Sequence, residues 1–187
     1  NYLFIVHHAE GIGGGLEHLN STTCQTSPGA YENRDQYIGF LGLIAHEYFH
    51  LWNVKRLRPV ALGPFDYENE NYTNMLWVSE GFTSYYQNDI LRRAGLIDDN
   101  KMLSQIGYGI NSIENTYGNK VQSVAEASWD AWIKYYRPNE NSNNSTVSYY
   151  TKGGVIANLL NMLIIGETNA EKSLDDVFKL LYKETFL

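Results

Sequence analysis

The sequence predicts a mainly α domain of the α+β class, a helical body with a small β element at its amino end. Three observations carry that expectation. The chain has 187 residues, 43% of them hydrophobic and 19% charged, which is enough to bury one sizeable core. Its first residues, Tyr2-Leu3-Phe4-Ile5-Val6-His7-His8, have strand composition. From Asp35 onward, apolar segments of helical character alternate with capping and stop signals, and no internal repeat interrupts them.

In chain order, Gly11-Ile12-Gly13-Gly14-Gly15 follows the first strand and permits a tight turn or a close approach of ligand to backbone. Leu16 to Leu19 then reads as another short strand. Ile38, Leu41, Leu43, Ile44, Phe49 and Leu51 predict a largely buried helix from Asp35 to about Arg56, ended before Pro59. Pro59 to Asn74, with its Pro, Gly, Asn and Asp, reads as a long connection. Ser79 is the expected cap of a helix through Tyr85 and Leu91 that stops at Gly95. Asp98 to Tyr117 reads as a third helix, Ser128 to Tyr136 as a shorter fourth, and Arg137 to Ser148 as an Asn-rich loop. Lys152 to Ile165 is apolar enough for a buried helix, and Ser173 with Asp176 opens a final one with a capping box.

Composition excludes several partners. The net charge of -7 has the wrong sign for a surface that binds phosphates, so nucleic acid is not expected. Nothing approaches the roughly 18 consecutive apolar residues of a membrane-spanning helix. Cys24 is the single cysteine and cannot form an internal disulfide. Strand composition at the first residues and helical pattern almost to the last predict a fragment of a longer protein. The compartment, cytoplasmic or periplasmic and secreted, stays open, as does the oligomeric state.

The chemistry concentrates in His46-Glu47-Tyr48-Phe49-His50, an H-E-x-x-H pattern inside the strongest predicted helix. Residues four apart share one helix face, so both imidazoles can reach a single ion. With this chain's 5 His, the pattern is expected by chance about once in a hundred such chains. One zinc ion suits two imidazoles and a carboxylate with a coordination position left for water, and Glu47 stands beside it as general base. The third ligand is expected from Glu80, at the start of a helix that can pack on the first. Ser84, one turn later, is a candidate to hydrogen-bond a ligand histidine. Lys55, Arg56 and Arg58 form a short basic run, read as a solvated or ion-paired helix end in preference to a contact for a peptide carboxylate.

The run His46 to Pro59, HEYFHLWNVKRLRP, with Leu76 to Tyr86, LWVSEGFTSYY, resembles the glycyl aminopeptidase family. Ser128 to Pro138 and Val147 to Gly153 carry the likeness further, so it spans nearly the whole chain. The resemblance implies a thermolysin-like gluzincin catalytic domain over residues 1–187, with a flanking β domain and a PDZ domain expected outside it. It implies His46, His50 and Glu80 as zinc ligands and Glu47 as general base. The His50–Glu80 interval is longer than in aminopeptidase N and its relatives, so Pro59 to Asn74 reads as an insertion beside the site. Gly14-Gly15-Leu16-Glu17-His18 is similar to the G-x-M-E-N strand of aminopeptidase N, with His18 in place of Asn. That implies Glu17 as the anchor of a peptide's free α-amine, with Gly14 and Gly15 at the substrate backbone. Tyr150, in Tyr150-Thr151-Lys152-Gly153, matches the tyrosine that donates a hydrogen bond to the oxyanion, with Tyr149 as its rival.

The expected function is a zinc-dependent aminopeptidase that removes N-terminal Gly or Ala from peptides with a free amino terminus. Two alternatives stand beside it: an endopeptidase with the same zinc chemistry, and an inactive peptide-binding module.

Overall fold

The computed structural model describes residues 1–186. Strands β1 (Leu3–His8), β2 (Gly14–Glu17) and β3 (Ser21–Thr26) form one sheet in the order β1-β3-β2. β1 runs parallel to β3 with Leu3 opposite Ser21, and β2 runs antiparallel to it with Glu17 opposite Thr22. The central strand was not expected from sequence, because Ser21-Thr22-Thr23-Cys24-Gln25-Thr26 is polar. Its β-branched threonines suit a strand, and Thr22 and Cys24 are fully buried at 0% exposure on the side that meets the first helix. Gly11 and Gly14, at φ 71° and 90°, supply the left-handed backbone that links β1 to β2.

Helix α1 (Arg34–Phe49) is capped by Asn33, whose side chain accepts hydrogen bonds from the Asp35 and Gln36 amides. It ends seven residues short of the expected Arg56. His50 is its C-cap and keeps helical dihedrals, with its N–H still on the His46 carbonyl, so the two histidines remain one turn apart. Beyond it the coil loosens into turns, in which the His50 carbonyl accepts from both Val54 and Lys55.

A widened π-helical turn, Trp77–Phe82, leads into α2 (Thr83–Arg93). Ser79 is therefore interior to a helical turn and is not the cap that the sequence predicted. The turn is seated by small residues: a Cβ on Gly81 would lie 2.5 Å from the Gly153 Cα. Gly95, at φ 69°, ends the segment as expected. α3 (Asp99–Glu114) is capped by Asp98, and α4 (Val124–Trp129) by a capping box of Ser123 and Glu126. That box, missed in the sequence, starts the fourth helix earlier than expected and leaves Asp130 to Tyr136 as turns. The Asn-rich loop holds one short helical turn, α5 (Ser142–Ser145). α6 (Tyr149–Glu167) is capped by Ser148 and α7 (Leu174–Thr185) by the expected Ser173–Asp176 box. Each such cap is typically worth about 1 kcal/mol.

The main core gathers Ile38 from α1, Phe82, Tyr85 and Tyr86 from the π turn and α2, Ala157 from α6 and Leu174 from α7. Phe49 stacks on Tyr86 at 4.3 Å between ring centroids. Burying side chains of this size stabilises by about 1.5–3 kcal/mol each. α6 is not buried all round, since its middle turns face the π turn and α2 while Met162 and Leu163 are each 61% exposed.

Candidate metal centre

Three elements converge where α1 ends. α1 supplies His46 and Glu47 and its cap supplies His50, the π turn supplies Glu80, and the edge strand β2 lies across them. His46 Nε2 is 3.1 Å and His50 Nε2 3.3 Å from the same oxygen, Glu80 Oε2. The donor atoms of His46, His50 and Glu80 all lie within 4.8 Å of one another. Two imidazole nitrogens and a carboxylate oxygen facing one point make a donor set that suits a zinc ion with a position left open.

The three side chains are strongly coupled. Burial opposes charge on His50, yet its hydrogen bond to Glu80 pushes it up to about 9. Burial would raise Glu80, yet the two histidines hold it down to about 2. His50 is also oriented from behind: its Nδ1 donates to the Asn53 carbonyl at 2.6 Å, which leaves Nε2 free to ligate. Asn53 in turn donates from Nδ2 to the Val78 carbonyl at 3.0 Å and the Ser79 carbonyl at 3.2 Å. One buried amide thus ties the end of α1 to the turn that carries Glu80. Sequence reasoning missed Asn53, whose only local signal is its place three residues after His50. Ser84 does not take the role expected of it, because its hydroxyl donates to the Glu80 carbonyl at 2.9 Å.

Glu47 points to the same place and is only 5% exposed. Burial pushes its carboxyl up to about 7 against the opposing pull of His46 and His50. Its Oε2 is buried with no hydrogen-bond partner among the described residues. Gly15 makes room for it, since a Cβ there would lie 2.5 Å from Glu47 Oε1. Gly14, Gly15, His46, Glu47 and Tyr150 line one cleft of about 370 Å³, which is shared with Ser84 and Gln87.

Glu17 lies close by, with a donor atom within 4.8 Å of those of Glu47 and His50. It is not free: Lys55 Nζ is 3.2 Å from Glu17 Oε1. The basic run thus contributes an ion pair inside the site. Tyr150 faces the cleft, its ring stacked beside His46 at 6.3 Å. Burial, and then the Glu80 charge, push its hydroxyl well above the ordinary tyrosine range, so it stays a proton donor. Tyr149 is 1% exposed and its hydroxyl donates to Tyr136 at 3.3 Å. Tyr136, to which sequence reasoning gave no role, also shares a hydrogen bond of 3.2 Å with Tyr150. No side chain of residues 59–74 lines this cleft.

The model of the M61 glycyl aminopeptidase family matches residues 39–156. The chain superimposes with a TM-score of 0.94 on the crystal structure of an aminopeptidase N family protein from Idiomarina loihiensis. The two are 41% identical over 98% of this chain and 32% of that one, so the chain spans about a third of its relative's length. No curated protein matches the chain. Among the described residues, no helix is long and apolar enough to cross a membrane.

Proposed function

Because the chain belongs to the M61 glycyl aminopeptidase family, we propose that it is the catalytic domain of a zinc-dependent aminopeptidase acting on N-terminal glycine or alanine. The observation that carries this reading is the convergence of His46, His50 and Glu80 beside the unpartnered buried oxygen of Glu47. Zinc held by those three residues would polarise the peptide carbonyl and acidify a water.

The side chains divide the remaining work. Glu47 takes a proton from water and delivers it to the departing amine. Gly15 leaves the space that its carboxylate occupies. Tyr150 donates a hydrogen bond to the carbonyl oxygen as negative charge gathers there, a contribution typically worth about 2.7–4 kcal/mol. Glu17 receives the substrate's α-ammonium and sets the cut one residue from the amino terminus, with the backbone of Gly14 and Gly15 alongside.

A replacement of Glu47 by Gln tests the assignment. Zinc content should stay at the wild-type level while kcat on glycyl and alanyl peptides falls at least a hundredfold, the usual scale for a general base. Retention of kcat within a few fold would remove Glu47 from the mechanism.

One observation favours a second reading. Lys55 already neutralises Glu17, as an endopeptidase with no use for a substrate amine would tolerate. N-acetylated peptides separate the two: an aminopeptidase loses them as substrates, and an endopeptidase cleaves them at rates like those of their free-amine counterparts.

A further inference from the structure

A second cavity of about 480 Å³ opens between α2, α3 and α6, on the far side of Ser84, Gln87 and Tyr150 from β2. Those three residues line both this cavity and the cleft at His46 and Glu47. Its volume falls in the range that holds a ligand group the size of a large side chain.

Its lining is built by helical periodicity. Ser84, Gln87 and Asn88 share one face of α2, and Met102, Gln105 and Ile106 one face of α3. Met102, Ile106, Tyr85 and Val155 give it an apolar floor, and no Asp or Glu lines it. Lys101, at the rim, is engaged by Asp35 at 3.2 Å.

Four half-buried side-chain amides surround this space: Gln87, Asn88, Gln105 and Asn158. Among the described residues, the first three make no side-chain hydrogen bond, and Asn158 meets only the Met162 sulfur at 3.8 Å. Gln105 Oε1 is buried outright without a partner. Unpaired amides on a partly dry wall are costly, and a ligand that offers both a donor and an acceptor recovers that cost.

We propose that this cavity receives the side chain of the residue that follows the cleaved bond, and that its unpartnered amides select glutamine or asparagine there. The inference rests on the aminopeptidase reading, which places the substrate's amine at Glu17 on β2 and its scissile carbonyl at Tyr150. The chain beyond that carbonyl then runs past Tyr150, Ser84 and Gln87 into the cavity. An amide side chain there has an apolar stem for the floor and a donor and acceptor for the ring. A carboxylate side chain matches only the donors.

Calorimetry with glycyl-glutamine, glycyl-methionine and glycyl-glutamate, each C-terminally amidated, tests this in a Glu47→Gln background that removes turnover, on the otherwise wild-type zinc-loaded chain and on a Gln105→Met/Asn158→Leu variant. The hydrolysis rate of glycyl-methionine amide is measured in parallel on the chain with Glu47 intact. Methionine matches glutamine in length without its amide. The wild type should bind the glutamine peptide about fivefold to tenfold more tightly than either other peptide, the scale of one or two net hydrogen bonds. The variant should bind glutamine and methionine peptides within twofold of each other. Equal wild-type affinities alongside normal hydrolysis would overturn the subsite and leave the peptidase reading standing. A preference that persists unchanged in the variant would also overturn it. Absence of both binding and hydrolysis would overturn the two readings together.

Discussion

Lys55 Nζ lies 3.2 Å from Glu17 Oε1, and with 23% and 18% exposure both side chains are largely out of solvent. The ammonium therefore stands where a substrate's α-ammonium is proposed to bind. Both groups adjoin the proposed metal site, since the Lys55 N–H is bonded to the His50 carbonyl and Glu17 lies beside Glu47.

Lys55→Met removes this competitor. The KM for free-amine glycyl peptides should fall about threefold to tenfold, with kcat within twofold, a change on the order of 1 kcal/mol for a partly buried pair. N-acetylated peptides should be unaffected. Steady-state kinetics on both peptide classes measures this, and a KM that rises instead would make Lys55 a prop for Glu17 and not its competitor.

Gly15→Ala tests the packing of the general base. The added methyl would sit 2.5 Å from Glu47 Oε1, so the carboxylate must move. A misplacement of about 1 Å typically costs about a hundredfold in rate. Metal content should be unchanged, because the three atoms nearest the added methyl all belong to Glu47. Metal analysis beside kcat measures both, and wild-type activity would mean that Glu47 needs no such close fit.

Asn53→Ala removes the amide that joins the two ligand-bearing turns. The Val78 and Ser79 carbonyls lose the Asn53 amide, although Ser79 keeps the Thr83 hydroxyl at 2.7 Å, so stability should fall by about 1–3 kcal/mol and zinc affinity roughly tenfold to a hundredfold. Chemical denaturation and metal titration read the two effects. Unchanged metal affinity would show that the turns hold their places without Asn53.

Much of this site was legible in the sequence, for a physical reason. His46, Glu47 and His50 are local in the chain, and a helix of any origin places them together. Glu80 and Tyr150 were singled out through their motifs, and the structure sets both beside His46, Glu80 by a hydrogen bond and Tyr150 by its stacked ring. Asn53 and the Lys55–Glu17 pair were not legible as partners, because their meaning lies in which distant carbonyl or carboxylate the fold sets against them. The same holds for the fold. The bodies of the helices and the Ser173–Asp176 box were readable, whereas the Ser123–Glu126 box, β3, whose threonines gain their place from neighbours on both sides, and the π turn at Glu80 were not.

Asp175 gives a pH signature away from the site. The Arg93 guanidinium, 2.7 Å away, holds its carboxyl below the usual aspartate range, with help from the Tyr86 hydroxyl. A carboxyl whose folded value is lowered stabilises above its unfolded value, about 3.9, and the stability is lost as pH falls through the folded value. Asp175→Asn should therefore lower Tm at pH 7 by about 2–4 °C, the effect of about 1 kcal/mol in a chain of this size. The gap should narrow as pH falls below about 4. Thermal melts across pH measure it, and a gap independent of pH would assign the loss to packing.

The central claim is that His46, His50 and Glu80 hold one zinc ion. Metal analysis of the purified chain beside a Glu80→Ala variant tests it most directly. The account predicts about one zinc per chain in the wild type and its loss, or a steep fall in affinity, in the variant. No zinc after reconstitution, or full binding without Glu80, would contradict it.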